Sequence, residues 1–153
     1  MKIFLYTFFF FSLIACSNSG DSDAKKAPKK AKTENASGLT DFELKNGLGP
    51  VKEEIKLGEL NLALVNSGKA VFEQNCSACH KVDQRYVGPQ LDDMLSRRTP
   101  TYLMNMMLNP EEMIKKHPEG KKMFAQFLTP MPYQNVTVDQ ARSIVEYIRT
   151  VQK

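Results

Sequence analysis

The sequence predicts a small all-α domain behind a non-globular N-terminal region. Three observations carry this reading. Near the C-terminus, Thr137 and Gln140 form a capping box ahead of Ala141, Ile144, Val145, Ile148 and Val151, which recur at helical spacing. Thr99-Pro100 and Asn109-Pro110 each place a capping residue before a proline, the usual start of a helix. No stretch between residues 60 and 150 shows the period-two alternation of a strand.

The elements follow in order. Lys2 precedes a mostly apolar run, Ile3 to Ile14, too short to remain as a membrane-spanning helix, so residues 1–15 read as a signal peptide. The run closes on Leu13-Ile-Ala-Cys16, which resembles a lipoprotein signal in which Cys16 is lipidated and becomes the first residue. Residues 16–40 then form a lysine-, serine- and alanine-rich tether without large apolar residues before Leu39. A chain of about 24 such residues has an r.m.s. span of roughly 25–30 Å. Residues 41–60, with Gly47, Gly49 and Pro50, read as an irregular extension to which the sequence assigns no role.

The domain proper is expected over 61–153. Its first helix starts from a cap at Asn61 or Asn66 and runs to about Gln74. Two short helices follow the Thr-Pro and Asn-Pro devices, a third runs from about Pro118 through KKMFAQF, and the capped helix after Thr137 ends the chain. His117, in KKHPEG, reads as an exposed helix start.

Charge separates tether from domain. Residues 17–40 hold five Lys against three acidic residues, whereas 41–153 hold fifteen Lys plus Arg against fourteen Asp plus Glu. The basic balance of the whole chain therefore describes the tether, and no nucleic-acid surface is indicated.

The chemistry lies in Asn75-Cys-Ser-Ala-Cys-His-Lys81. Of three cysteines, Cys16 lies outside the folded domain as the lipidation candidate, which leaves Cys76 and Cys79 with the adjacent His80. A structural zinc site needs four ligands, and the only other histidine is His117. A thioredoxin-like pair needs a βαβ context, which is absent. CxxCH is instead the attachment pattern of a c-type haem, with both thiols linked to the porphyrin and the imidazole beneath the iron. One covalent haem c is the cofactor expected. The CxxCH pattern resembles that of proteins to which haem is attached beyond the cytoplasmic membrane, and that resemblance implies an export signal such as the leader.

With these residues in place, 61–153 resembles the class I c-type cytochromes: Gly68 and Phe72 ahead of CSACH, Val87-Gly-Pro89 after it, Pro130-Met-Pro132 further on, and Ile144 and Tyr147 on the last helix. The resemblance implies a fold in which N- and C-terminal helices cross around a covalent haem, with Gly68 at the crossing against Ile144 and Tyr147. It implies that the Pro89 carbonyl accepts a hydrogen bond from His80. It also puts the distal iron ligand in the loop before the last helix, where Met131 lies between two prolines that forbid helix. His117 is the alternative ligand. Met104, Met106, Met107, Met113 and Met123 fall on predicted helices and read as packing, and Met94 comes too early in the chain.

Two occupied axial positions imply a one-electron carrier rather than an enzyme. The expected function is a membrane-tethered shuttle, facing the periplasm of a bacterium, between a quinol-oxidising complex and a terminal reductase or oxidase. RYVGPQL, RRTPTYLMNMMLNPEEM and PMPYQNVT are similar to monohaem lipoprotein cytochromes found beside nitrous-oxide reduction systems, which implies nitrous-oxide reductase as acceptor. Arg97, Arg98 and Tyr102 are candidates for contact with haem propionates or a partner, and equally for a solvated, helix-capping role. A haem sensor or peroxidase with a dissociable distal ligand, and a haem-bearing subunit of a larger enzyme, stay open as alternatives.

Overall fold

A computed structural model describes residues 36–153. The signal peptide, Cys16 and most of the tether lie outside the described residues. Among the described residues there are seven α-helices: α1 (Asp41–Asn46), α2 (Leu62–Asn75), α3 (Met94–Arg97), α4 (Pro100–Leu108), α5 (Pro110–Lys116), α6 (Pro118–Phe127) and α7 (Val138–Thr150). No strand occurs among the described residues, as the sequence predicts.

The caps explain most of the boundaries. Asn61 Oδ1 accepts from Ala63 and Leu64 N–H and starts α2. Thr99 accepts from Tyr102 N–H at 3.0 Å, with Pro100 in the first helical position of α4. Thr137 and Gln140 close their capping box at the start of α7. Pro110 starts α5 as expected, but Asn109 does not cap it. Its amide donates instead to the Leu48 carbonyl at 3.3 Å.

The core is organised by α2 and α7, which cross at Gly68. A Cβ at Gly68 would collide with the Ser143 carbonyl and crowd the Ile144 nitrogen. Only glycine lets the two backbones approach this closely, which outweighs the roughly 1 kcal/mol a mid-helix glycine costs relative to alanine. Beside the crossing, the Phe72 and Tyr147 rings pack in a tilted arrangement, 5.3 Å between centroids and 46° between planes. Ala141, Ile144, Val145 and Ile148 on α7 are at most 4 % exposed and form the centre of the core. The chain end returns to the fold through Gln152, whose amide donates to Leu91 O and whose carbonyl accepts from Leu95 N–H.

Residues 41–60 are not wholly irregular. Thr40 and Glu43 form a capping box that opens α1, and Leu39 and Val51 are buried. Between and beyond them the segment is strapped to one face of α4. The fully buried Asn105 donates to Asn46 O and Val51 O and accepts from Val51 N–H, each at 3.0 Å. One turn earlier, Thr101 Oγ1 accepts from Ile55 N–H at 2.8 Å and donates to Glu53 O.

His117 is also not exposed. It is 1 % accessible, with Nε2 donating to the carbonyls of Glu43 and Leu44 and Nδ1 accepting from Glu119 N–H. The side chain thus caps α6 while fixing α1 onto it.

Among the described residues two carboxylates are buried inside this frame, Asp92, which pairs with Lys153 at 2.5 Å, and Glu146. Glu146 is 1 % exposed and pairs with Arg142 at 2.5 Å and Arg149 at 2.7 Å. Burial by itself would raise its carboxyl, but the hydrogen bonds from the two guanidiniums outweigh that and hold it below its ordinary 4.5.

Asn105→Ala leaves three buried backbone groups without partners and is expected to cost about 3 kcal/mol in urea unfolding of the haem-loaded protein. A loss below about 1 kcal/mol would show that water or repacking replaces the strap. Because the folded Glu146 value is depressed, its contribution is full above the unfolded value of 4.5 and disappears as pH falls through the lower folded value. As pH falls from 4.5 through that lower value, the stability of the wild type should therefore drop more steeply than that of Glu146→Gln, read from urea unfolding at each pH.

Candidate functional site

The end of α2 shapes the motif. The Cys76 and Ser77 amides both donate to Phe72 O, and Cys79 and His80 N–H then both donate to Cys76 O at 3.0 and 2.9 Å. This tight turn keeps both thiols and the imidazole on the wall of one cavity. Cys76 is buried, Cys79 half-buried, and the two are not joined. Burial, with Cys79 nearby, pushes the Cys76 thiol up to about 11, so as a free thiol it is protonated at neutral pH.

The following loop folds back beneath His80. Gly88 N–H donates to Cys79 O at 2.8 Å, and Leu91 and Asp92 N–H both donate to Val82 O. His80 Nδ1 lies 3.0 Å from Pro89 O. A carbonyl can only accept, so Nδ1 must carry the proton, which leaves Nε2 with a free lone pair for a metal. The ring packs closely against Gly88: a Cβ there would come within 2.5 Å of His80 Cε1.

The cavity measures about 340 Å³ and is predominantly apolar. Leu103, Met106 and Met107 of α4, Met123, Phe124 and Phe127 of α6, and Ile144 and Ile148 of α7 line it. Met131, half-buried between its prolines, joins the wall from the segment between α6 and α7. Met104 and Met113 are buried in the core and do not line it. His117 does not line it either, and both its ring nitrogens are committed to backbone.

One wall is polar. Arg97, Arg98 and Tyr102 line it, and the Tyr102 hydroxyl is buried without a hydrogen bond. Burial pushes this phenol up to about 12, against a smaller opposing pull from Arg98, whose guanidinium lies 5.1 Å over the ring and pairs with Glu119. A buried hydroxyl without a partner is costly. A haem fits this arrangement: an apolar macrocycle for the cavity, thiols and an imidazole for attachment, and carboxylates for the one polar wall. Among the described residues no group of three or more His, Cys, Asp or Glu could hold a metal ion by itself. Sequence reasoning picked out Tyr102 but contained no sign that its hydroxyl lacks a partner.

The helical fold and this site define a single-haem domain of c type, with crossed terminal helices. The chain belongs to the cytochrome c family, whose model, described as "Cytochrome c", matches residues 65–152. It is similar to cytochrome c from Rhodothermus marinus, at 41 % identity and a TM-score of 0.68 over 72 % of this chain and 95 % of that one. An engineered form of the Rhodothermus marinus protein gives 40 % and 0.67, over 72 % and 96 % of the two chains. Cytochrome c2 of Rhodopseudomonas palustris (strain ATCC BAA-98 / CGA009) is 24 % identical over 122 residues, which cover 63 % of this chain and 87 % of the relative. The protein is a class I monohaem c-type cytochrome and an electron carrier, with one covalently bound haem c.

Proposed function

We propose that this cytochrome is exported, anchored through a lipid on Cys16, and carries electrons from a quinol-oxidising complex to a terminal reductase or oxidase. In this reading Cys76 and Cys79 carry the thioether links, and His80 and Met131 are the axial ligands. The observation that carries the ligand assignment is the 3.0 Å contact of His80 Nδ1 with Pro89 O, which leaves the other ring nitrogen available. Support for Met131 over His117 comes from position: Met131 lines the cavity, whereas His117 is spent on α1 and α6.

Haem c, when bound, supplies a one-electron iron couple, and methionine ligation raises its potential relative to bis-histidine. The chain's own residues do the rest. Pro89 O holds the His80 proton on Nδ1 and so fixes which nitrogen is free. The apolar walls from α4, α6 and α7 exclude water. Tyr102, Arg97 and Arg98 offer donors to the carboxylates on the one polar wall.

The leader and Cys16 support export and anchoring, and the lysine-rich residues 17–40 supply the reach to visit partners. The motifs shared with lipoprotein cytochromes of nitrous-oxide reduction systems support nitrous-oxide reductase as acceptor.

Two experiments test this reading. In the ferric haem-loaded protein, Met131→Ala should abolish the weak methionine-to-iron charge-transfer band, while His117→Ala keeps it and lowers stability by about 2 kcal/mol. The reverse outcome would exchange the two roles. With purified partners, the reduced protein should pass electrons to nitrous-oxide reductase in stopped flow. Oxidation by a terminal oxidase alone would move the acceptor to that enzyme, and rapid carbon monoxide binding to the ferrous form would favour a sensor.

A further inference from the structure

The segment carrying Met131 is held unlike the rest of the site. Leu128 and Asn135, at either end of it, are the two non-glycine residues with positive φ among those described, at 55° and 53°. A side-chain-bearing residue in this left-handed region costs roughly 1–2 kcal/mol. Leu128 is 78 % exposed, so no burial of its side chain offsets that cost. Pro130 and Pro132 have no N–H to donate, and the hydrogen bond inside the segment runs from Gln134 Nε2 to Pro132 O at 3.2 Å.

Its ties to the other half of the site come from two side chains. Arg85 Nη2 donates to Gln126 O at 2.9 Å, at the C-terminal end of α6, while the guanidinium lies 4.3 Å over the Phe127 ring. This puts a cation on carbonyls that the helix leaves without partners, where it is favoured. Asn75 Nδ2 reaches Gln134 O at 3.4 Å at the other end. Asn75 immediately precedes Cys76, and Arg85 follows His80 in the loop that folds beneath it.

We propose that Arg85 and Asn75 are positioning residues that bracket the methionine segment from either side of the attachment motif. They set how readily a small neutral ligand replaces Met131 at the iron. The proposal rests on the reading of Met131 as axial ligand. Its physical content is a two-state balance: the segment closes with both ties made or opens with both lost, and apparent ligand affinity scales with the open fraction. Losing a charge-assisted bond and the ring contact of Arg85 shifts that balance more than losing the longer Asn75 bond.

The test is an imidazole titration of the ferric haem-loaded protein, followed by the methionine charge-transfer band, with circular dichroism to confirm an unchanged fold. Arg85→Ala should tighten imidazole binding about tenfold and Asn75→Ala about threefold. The double variant should approach the product. Arg85→Lys keeps the charge without the planar stack and should fall between Arg85→Ala and wild type. Because Arg85 is exposed, its substitution leaves the core intact even if Asn75→Ala impairs haem attachment. Imidazole affinities within twofold of wild type for Arg85→Ala would overturn the bracket while Met131→Ala still abolishes the band. If Met131→Ala leaves the band intact, the ligand assignment itself fails, and the bracket with it.

Discussion

The contact between α2 and α7 at Gly68 is what the cavity depends on. Residue 68 touches the α7 backbone directly, so the two helices have one relative position rather than a range set by side-chain rotamers. Phe72 lies one turn further along α2 and Cys76 a turn beyond that, both buried. On the other helix, Ile144 and Ile148 lead from the crossing into the cavity wall. The crossing therefore fixes the distance between the attachment turn and the wall it faces. An added methyl group would displace backbone at Ser143, where a helix cannot yield locally.

A second layer makes α4 stiff enough to serve as a wall. Its cavity face is apolar apart from the Tyr102 hydroxyl, and its other face carries Thr101 and Asn105, whose side chains hold residues 46–55 through hydrogen bonds to their backbone. A nine-residue helix is marginal on its own. Here it is held from both sides, and the buried polar face is satisfied group by group. His117 extends the same device, since its ring joins α1 to the start of α6 and sits edge-on to Tyr102 at 5.4 Å. The segment before α2 is thus part of the site's support.

What could be read from sequence divides along the range of the interactions. The starts of α4 and α7 were legible because Thr99-Pro100 and Thr137 with Gln140 act within one turn. Gly68 was legible because a mid-helix glycine calls for a packing reason. The role of residues 41–60 was not, because Asn105 and Asn46 lie 59 positions apart and neither carries a local signal for the other. One local cue did exist: Thr40 and Glu43 have capping-box spacing, though the helix they open is only six residues long. His117 looked exposed because His-Pro is a common helix start, and only α1 folding over it makes it a core residue. At the site, the CxxCH spacing carried the chemistry, while the unpartnered Tyr102 hydroxyl depends on what surrounds it in three dimensions.

The two halves of the site are held by different physics, and this bears on how an electron carrier works. Around His80 the chain is fixed by short backbone hydrogen bonds from Cys79, His80, Gly88, Leu91 and Asp92, all closed within one compact stretch. Around Met131 the prolines remove donors, and order comes from the two prolines' restricted dihedrals together with ties at the ends. On the first side, His80 cannot move without breaking several bonds at once. On the second side, stiffness comes from the chain's covalent geometry, which needs few contacts to hold one conformation. Low reorganisation favours rapid electron exchange, and both strategies supply it.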